Sequence, residues 1–207
     1  MSRLLPLLLC LACLPHPALA GEGRPSRADL QRVMEQHARS VVRVRGPKQA
    51  SPGVIVGAAG QVLTSTEPVG GEAFVGLNAA TVEHDGKALP ARVVLANAAL
   101  KVAVVAAPDG TYPAAPVKLL KEGDSLRGRW VVGVLPATKA QPARPVSAQV
   151  GSAPAPFFDV PLALPAGSPV FDSDGRLVAV VVQRHRRGCR VLPLTEVKVQ
   201  LASADAP

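Results

Sequence analysis

Hydrolysis through a hydroxyl needs a serine, a base within hydrogen-bond reach of it and an acid that orients the base, and few residues of this 207-residue chain can take those parts. The histidines number four. His16 falls in an apolar leader, and His37 falls on the apolar face of an expected helix. His84 lies in Glu83-His84-Asp85-Gly86, which is expected to be a solvated turn, and His185 lies in the basic run Arg184-His185-Arg186-Arg187-Gly188-Cys189-Arg190. His84 and His185 are the histidines expected near strand segments. Ser168, in Ala166-Gly167-Ser168-Pro169, is carried as a nucleophile whose base is not visible in the sequence. Metal chemistry lacks its spacings, because there is no H-E-x-x-H and no H-x-H, and no Cys-x-x-Cys outside the leader. No Gly-rich loop cradles a phosphate, so no cofactor is expected. With aromatics at 3% there is little to stack on bases, so no nucleic-acid partner is expected either.

These residues must be positioned by a packed core. Hydrophobic residues make up 48% of the chain, with 21 prolines and 18 glycines set between Val-, Ala- and Leu-rich stretches. That composition fits one domain of many short strands rather than disorder. Residues 1–20 have the layout of an export signal: Arg3 before an apolar run, a break at Pro15 and Pro17, and Ala18-Leu19-Ala20 as a small-x-small cleavage site. The run is too short to span a membrane, and no other segment reaches the roughly 20 apolar residues that spanning needs. Cleavage after Ala20 is expected, giving a secreted or periplasmic chain; the alternative is a lipoprotein anchored at Cys13. Removing the leader takes Arg3 with it, so the net charge falls by one from +8, and only Cys189 is left of three cysteines. A lone cysteine in an oxidising compartment is buried, reactive or paired with a second chain, burial being the default.

After a flexible lead-in at 21–26, Ser26 is expected to cap a helix whose Leu30, Val33, Met34, His37, Ala38 and Val41 share one face. Strand signals follow at Val41–Arg45, Val54–Val56, Gln61–Thr64, Ala73–Leu77, Ala91–Leu95, Val102–Ala106, Trp130–Leu135, Ser147–Val150, Leu177–Val182 and Arg190–Leu192. Two hairpins stand out: Val54 to Thr64 around Gly57 and Gly60, and Val170 to Val178, with Asp174-Gly175 supplying the positive-φ turn positions. Pro136 to Pro145 is expected to be a loop. Ten or so strands argue for barrels or a sandwich.

In order, the segments Ser51-Pro52-Gly53-Val54-Ile55, Leu63-Thr64-Ser65-Thr66-Glu67-Pro68-Val69, Lys101-Val102-Ala103-Val104-Val105, Gly128-Arg129-Trp130-Val131, Leu164-Pro165-Ala166-Gly167-Ser168-Pro169-Val170 and Asp174-Gly175-Arg176-Leu177-Val178-Ala179 resemble the trypsin-like serine proteases. Within them, the likeness is to the bacterial envelope HtrA/DegP type. No one stretch is strong; order and spacing carry the likeness. It implies an all-β fold, a trypsin-like double β-barrel with one N-terminal helix after the signal peptide, over residues 27–200. Residues 201–207 are left as a tail, with no room for the PDZ domain that such proteins often carry.

The same resemblance puts the histidine position on Glu67, the aspartate position on Lys101 and the serine position on Ala166. Glutamate, with an ordinary pKa near 4.3, is a weak base for a hydroxyl. Lysine reverses the orienting charge, and alanine has no nucleophile. Removal of a whole triad costs about 10⁶ in turnover in a well-studied serine protease. The oxyanion hole would use the backbone N–H groups of Leu164 and Ala166, where a side chain at 164 replaces the family's glycine. The expectation is an inactive, exported domain that binds a peptide or protein partner. Two alternatives stay open. A two-residue slip would make Ser168 the nucleophile of a serine endopeptidase. Otherwise an envelope structural protein binds anionic surfaces through Arg184, Arg186, Arg187 and Arg190.

Overall fold

The computed structural model describes residues 23–135 and 142–198. The leader with Cys13, the segment 136–141 and the C-terminal tail lie outside the described residues. Helix α1 (Arg27–His37) starts where its caps put it: Asp29 N–H donates to Ser26 Oγ (3.1 Å) while Asp29 Oδ2 accepts from Ser26 N–H (3.0 Å). This reciprocal pair satisfies two of the donors that a helix start leaves free.

Twelve strands follow in the described residues. Strands β1 (Val41–Arg45), β2 (Ala50–Ile55), β3 (Gln61–Ser65), β4 (Ala80–His84), β5 (Lys87–Asn97) and β6 (Val102–Ala106) close into a barrel in the order β1-β2-β3-β6-β5-β4, with a four-residue helix, α2 (Thr66–Val69), after β3. Strands β7 (Trp130–Leu135), β8 (Arg144–Gln149), β9 (Phe158–Val160), β10 (Pro169–Phe171), β11 (Leu177–His185) and β12 (Gly188–Pro193) form a curled sheet ordered β8-β7-β10-β11-β12-β9. This is the trypsin-like arrangement of two barrels, the second of them a half-barrel.

The junction between them is itself a core. Along β6, Ala103 and Val105 point into the closed barrel, while Val102 and Val104 join Val54 and Leu63 in meeting Phe171, Leu177, Val180 and Leu192 of the second sheet. Both faces of β6 are therefore buried, which is why its sequence is a continuous apolar run rather than an alternating one. In β11 the register to β10 skips Val178, since Val170 pairs with Ala179 and Phe171 with Leu177. That bulge turns Val178 and Ala179 to the same interior while Leu177 and Val180 stay at the junction.

Four expectations change. Of the loop expected from Pro136 to Pro145, residues 136–141 lie outside the described residues, and Arg144 and Pro145 already belong to β8, paired with Leu135 and Val134. Ala73–Leu77 is not a strand: Glu72–Phe74 is a 3-10 turn between Gly71 and Gly76, both at positive φ, and Leu77 is left exposed. Its apolar run makes two bonds with Val93 instead of a ladder. His84 ends β4 rather than sitting in a turn, and the turn itself is Asp85-Gly86, both at positive φ (47° and 74°). At Asp174-Gly175 only the glycine has positive φ, because the Asp172 carboxylate accepts from the Asp174 and Arg176 amides and shapes that turn.

Candidate functional site

The positions singled out from the sequence sit on the segments that meet at the junction. Thr64, on β3, donates its hydroxyl hydrogen to the Pro52 carbonyl of β2 (2.7 Å). Gly167 packs against this pair: its φ is +87°, and a Cβ on it would overlap the Pro52 oxygen. Gly167 is also the third residue of a tight turn closed by Ser168 N–H donating to Pro165 O (3.2 Å). Glycine with positive φ at that place is the requirement of a type II turn. Ala166, the second residue of the turn, is buried.

On the closed-barrel side, α2 begins with Thr66 N–H donating to the Lys101 carbonyl (3.2 Å), which brings the Glu67 and Lys101 segments together. Glu67 is exposed, and its carboxylate accepts from Gln49 Nε2 (3.3 Å). Lys101 holds a left-handed backbone, φ +58°, immediately before β6, and its Nζ donates to Gln183 Oε1 of β11 (2.7 Å). A lysine therefore bridges the two barrels. Glu67, Lys101 and Ala166 together present a carboxylate, an ammonium and a methyl group, with neither a hydroxyl nor an imidazole among them.

Leu164 departs from what an anion-binding loop needs. Its side chain is fully buried in the second sheet's core, and a Cβ on Gly133 would lie 2.5 Å from its Cδ1. The non-glycine residues at positive φ, among those described, are Asp85 and Lys101, so Leu164 keeps ordinary backbone geometry. Cys189 shares that core, and burial pushes its thiol up to about 11. Cys189 is thus a buried, protonated side chain, the default expected of it.

Ser168 and the histidines fall differently from expectation. Ser168 is buried, and its hydroxyl has no partner among the described residues. The histidine that shares a cavity with it is His37, not His84 or His185. His37 stacks on Phe171 (centroids 4.3 Å apart, 7° between planes), and its Nε2 lies 2.6 Å from the Gly175 carbonyl. Since a carbonyl only accepts, Nε2 carries the hydrogen. Burial holds the imidazole below its ordinary range and hence neutral. The helical spacing had already put His37 on the apolar face; what the sequence lacked was the core that this face meets. His84 tilts against Tyr112, and His185 lies 3.6 Å from Asp159.

The arginine run is tighter than the sequence implies. β11 continues to His185 and β12 starts at Gly188, so the loop is only the turn Arg186-Arg187. Arg190 is not free: its Nε donates to Asp159 Oδ1 (3.0 Å). Arg184, Arg186 and Arg187 are exposed. Among the described residues no His, Cys, Asp and Glu cluster could hold a metal, and no helix is long and apolar enough to cross a membrane.

Comparison with known proteins agrees with this architecture. An active form of the Rv3671c protease from M. tuberculosis superposes with a TM-score of 0.66 at 21% identity, covering 89% of each chain. An inactive form gives 0.64 at 21%, covering 88% of this chain and 98% of that one. A serine endoprotease from Yersinia pestis gives 0.68 at 15%, over 84% of this chain and 66% of that one. At these identities the likeness is one of fold. No curated protein sequence matches the chain. The sequence pattern of the trypsin-like peptidase domain, however, matches residues 51–180, and with both barrels and their junction in place the chain belongs to that family.

Proposed function

We propose that this protein is an exported, HtrA-like member of the family that has lost its catalytic triad and acts in the cell envelope by binding a peptide or protein. The observation that carries the reading is the content of the junction: Glu67, Lys101 and Ala166 occupy the positions where the resemblance puts base, orienting acid and nucleophile, and Leu164 is committed to the core beside them. A retained fold without reacting groups keeps a groove and a surface, and binding is what those can still do. The test is a fluorophosphonate probe applied to folded protein beside an active trypsin-like control, with adducts mapped by mass spectrometry. No adduct is expected. Ala166→Ser alone is also expected to stay silent, because Glu67 and Lys101 remain; turnover in that single variant would sink the reading.

A second reading, a serine endopeptidase using Ser168, has one observation in its favour: Ser168 and His37 line the same cavity. Against it, the Ser168 hydroxyl makes no hydrogen bond among the described residues, and His37 Nδ1, the ring nitrogen left to accept once Nε2 donates to Gly175, has no partner there either. An adduct on Ser168 would establish this reading in place of the first.

A further inference from the structure

The C-terminal half of β11 is paired on one side but not on the other. β12 accompanies it from Ala179 to His185, whereas β10 reaches only from Leu177 to Val180. The turn at Gly167 and Ser168 then takes both main-chain groups of Val181: Gly167 N–H donates to Val181 O (2.7 Å) and Val181 N–H to Ser168 O (2.9 Å). Beyond Val181 no described strand adjoins β11 on that side, so Gln183, Arg184 and His185 lie on an edge open to another extended chain.

Charge along that edge is of one sign. Lys101 Nζ is anchored on Gln183, Arg184 follows directly, and Arg186 and Arg187 make the turn. At about 3.3 Å per residue these groups lie within roughly 10–13 Å of Gln183 along the strand, between one and two screening lengths of about 8 Å in physiological salt. None of the four cations forms an ion pair among the described residues. On this sheet the Asp159 carboxylate is already engaged by Arg190 (3.0 Å) and faces His185 (3.6 Å). Glu67, on the closed barrel, is the one opposing charge at the junction that the sequence singled out, and it is held by Gln49.

We propose that the partner of this groove is an acidic extended peptide, laid along the open edge of β11 with its carboxylates on Lys101, Arg184, Arg186 and Arg187. The inference rests on the binding reading above and specifies its partner. An open strand edge supplies main-chain bonds to any sequence; the four cations select among them, which is where charge complementarity acts most strongly. A flat anionic surface would use only the exposed Arg186-Arg187 tip and would leave Lys101, tethered between the barrels, without a contact.

The experiment is fluorescence anisotropy of the full protein with three labelled dodecapeptides of alternating Val and, respectively, Asp, Ser or Lys, with vesicles of anionic phospholipid as a fourth probe. The Asp peptide is expected to bind at least tenfold more tightly than the Ser peptide, the Lys peptide not to bind, and rising salt to erase the difference. Arg184→Glu with Lys101→Glu should reverse the preference; both side chains are exposed, and an unchanged urea midpoint certifies the fold. Preference for the Ser or Lys peptide, or an acidic preference that survives the double reversal, would overturn the inference while leaving peptide binding intact. Failure of all three peptides would overturn the inference, while the loss of the triad stands or falls separately on the fluorophosphonate probe. Vesicle binding that Lys101→Glu does not weaken, with no peptide bound, would assign the charge to a surface instead.

Discussion

The two halves of the molecule enclose their cores by different means. The first sheet closes, so that each of its six strands has two neighbours, and the space inside is filled by Val44, Val62, Val82, Val93, Ala103 and Val105 with one larger residue, Ile55. The second stops short between β8 and β9, and residues carried outside its strands complete the filling: Leu126 and Leu164, with Leu162 packed against them. The consequence differs for the groups at the junction. Glu67 and Lys101 sit on segments beside a core that is already complete, whereas Leu164 and Ala166 sit on a segment that is part of one. Chemistry at the first pair can change at little structural cost; at the second it is coupled to stability.

The sharpest way to break that contrast is truncation on each side. Leu164→Ala is expected to cost about 2–5 kcal/mol, as buried leucine truncations do, and Glu67→Ala less than about 0.5 kcal/mol, as exposed substitutions do. Urea unfolding followed by the fluorescence of Trp130, on β7 of the second sheet, measures both. Equal costs would mean that loop 164–166 carries no packing.

A smaller effect concerns how α1 is held to the second sheet. Burial lowers the His37 pKa in the folded chain below its ordinary 6.5. In the window just under 6.5 the unfolded chain therefore takes up a proton that the folded chain resists. Stability is complete above that value and declines as the pH falls toward the folded pKa. Denaturation midpoints at pH 7.5, 6 and 5 should show the decline, and His37→Gln should flatten that part of the profile. A profile unchanged by the substitution would place the sensitivity elsewhere.

A further small change is expected on the closed-barrel side, at Lys101. Lys101 holds a left-handed backbone that costs a side-chain-bearing residue about 1–2 kcal/mol. Lys101→Gly removes that cost but forfeits the bond to Gln183 and adds chain entropy of about 0.5–1 kcal/mol. A net stabilisation below about 1 kcal/mol should appear as a small rise in the unfolding midpoint. A drop larger than that would mean that the lysine bridge, rather than each barrel's own core, joins the halves.

Much of the fold was legible in sequence because its signals are local. Ser26 with Asp29 starts the helix, Gly57 and Gly60 turn the first hairpin, and the Val-rich runs of β1, β6 and β7 are strands wherever they pack. What escaped depends on distant partners. β9 is three residues long and exists because of β12, and β4, which pairs along its whole length with the next strand β5, also needs the earlier β1 on its other side to close the barrel. The Arg190 pairing was hidden for the same reason, since Asp159 stands 31 residues away. Of the three Asp-Gly pairs, the one that has both residues at positive φ is Asp85-Gly86; Asp109-Gly110 has neither, and at Asp174 a buried carboxylate two residues earlier sets the backbone. At the junction, residue identities were readable, but the commitment of Leu164 to the space over Gly133 was not, because Gly133 lies on a strand 31 positions upstream.

That commitment makes the order of substitutions matter. A lineage restoring glycine at 164 before refilling the space over Gly133 would pass through a chain with a void in its half-barrel; one enlarging residue 133 first would crowd the leucine still present. Each single step toward the family's usual loop is uphill in stability, whichever comes first. A change of one side chain in the loop thus acts as a ratchet, easy to enter and hard to leave, while exposed residues such as Glu67 remain free to change without touching either core.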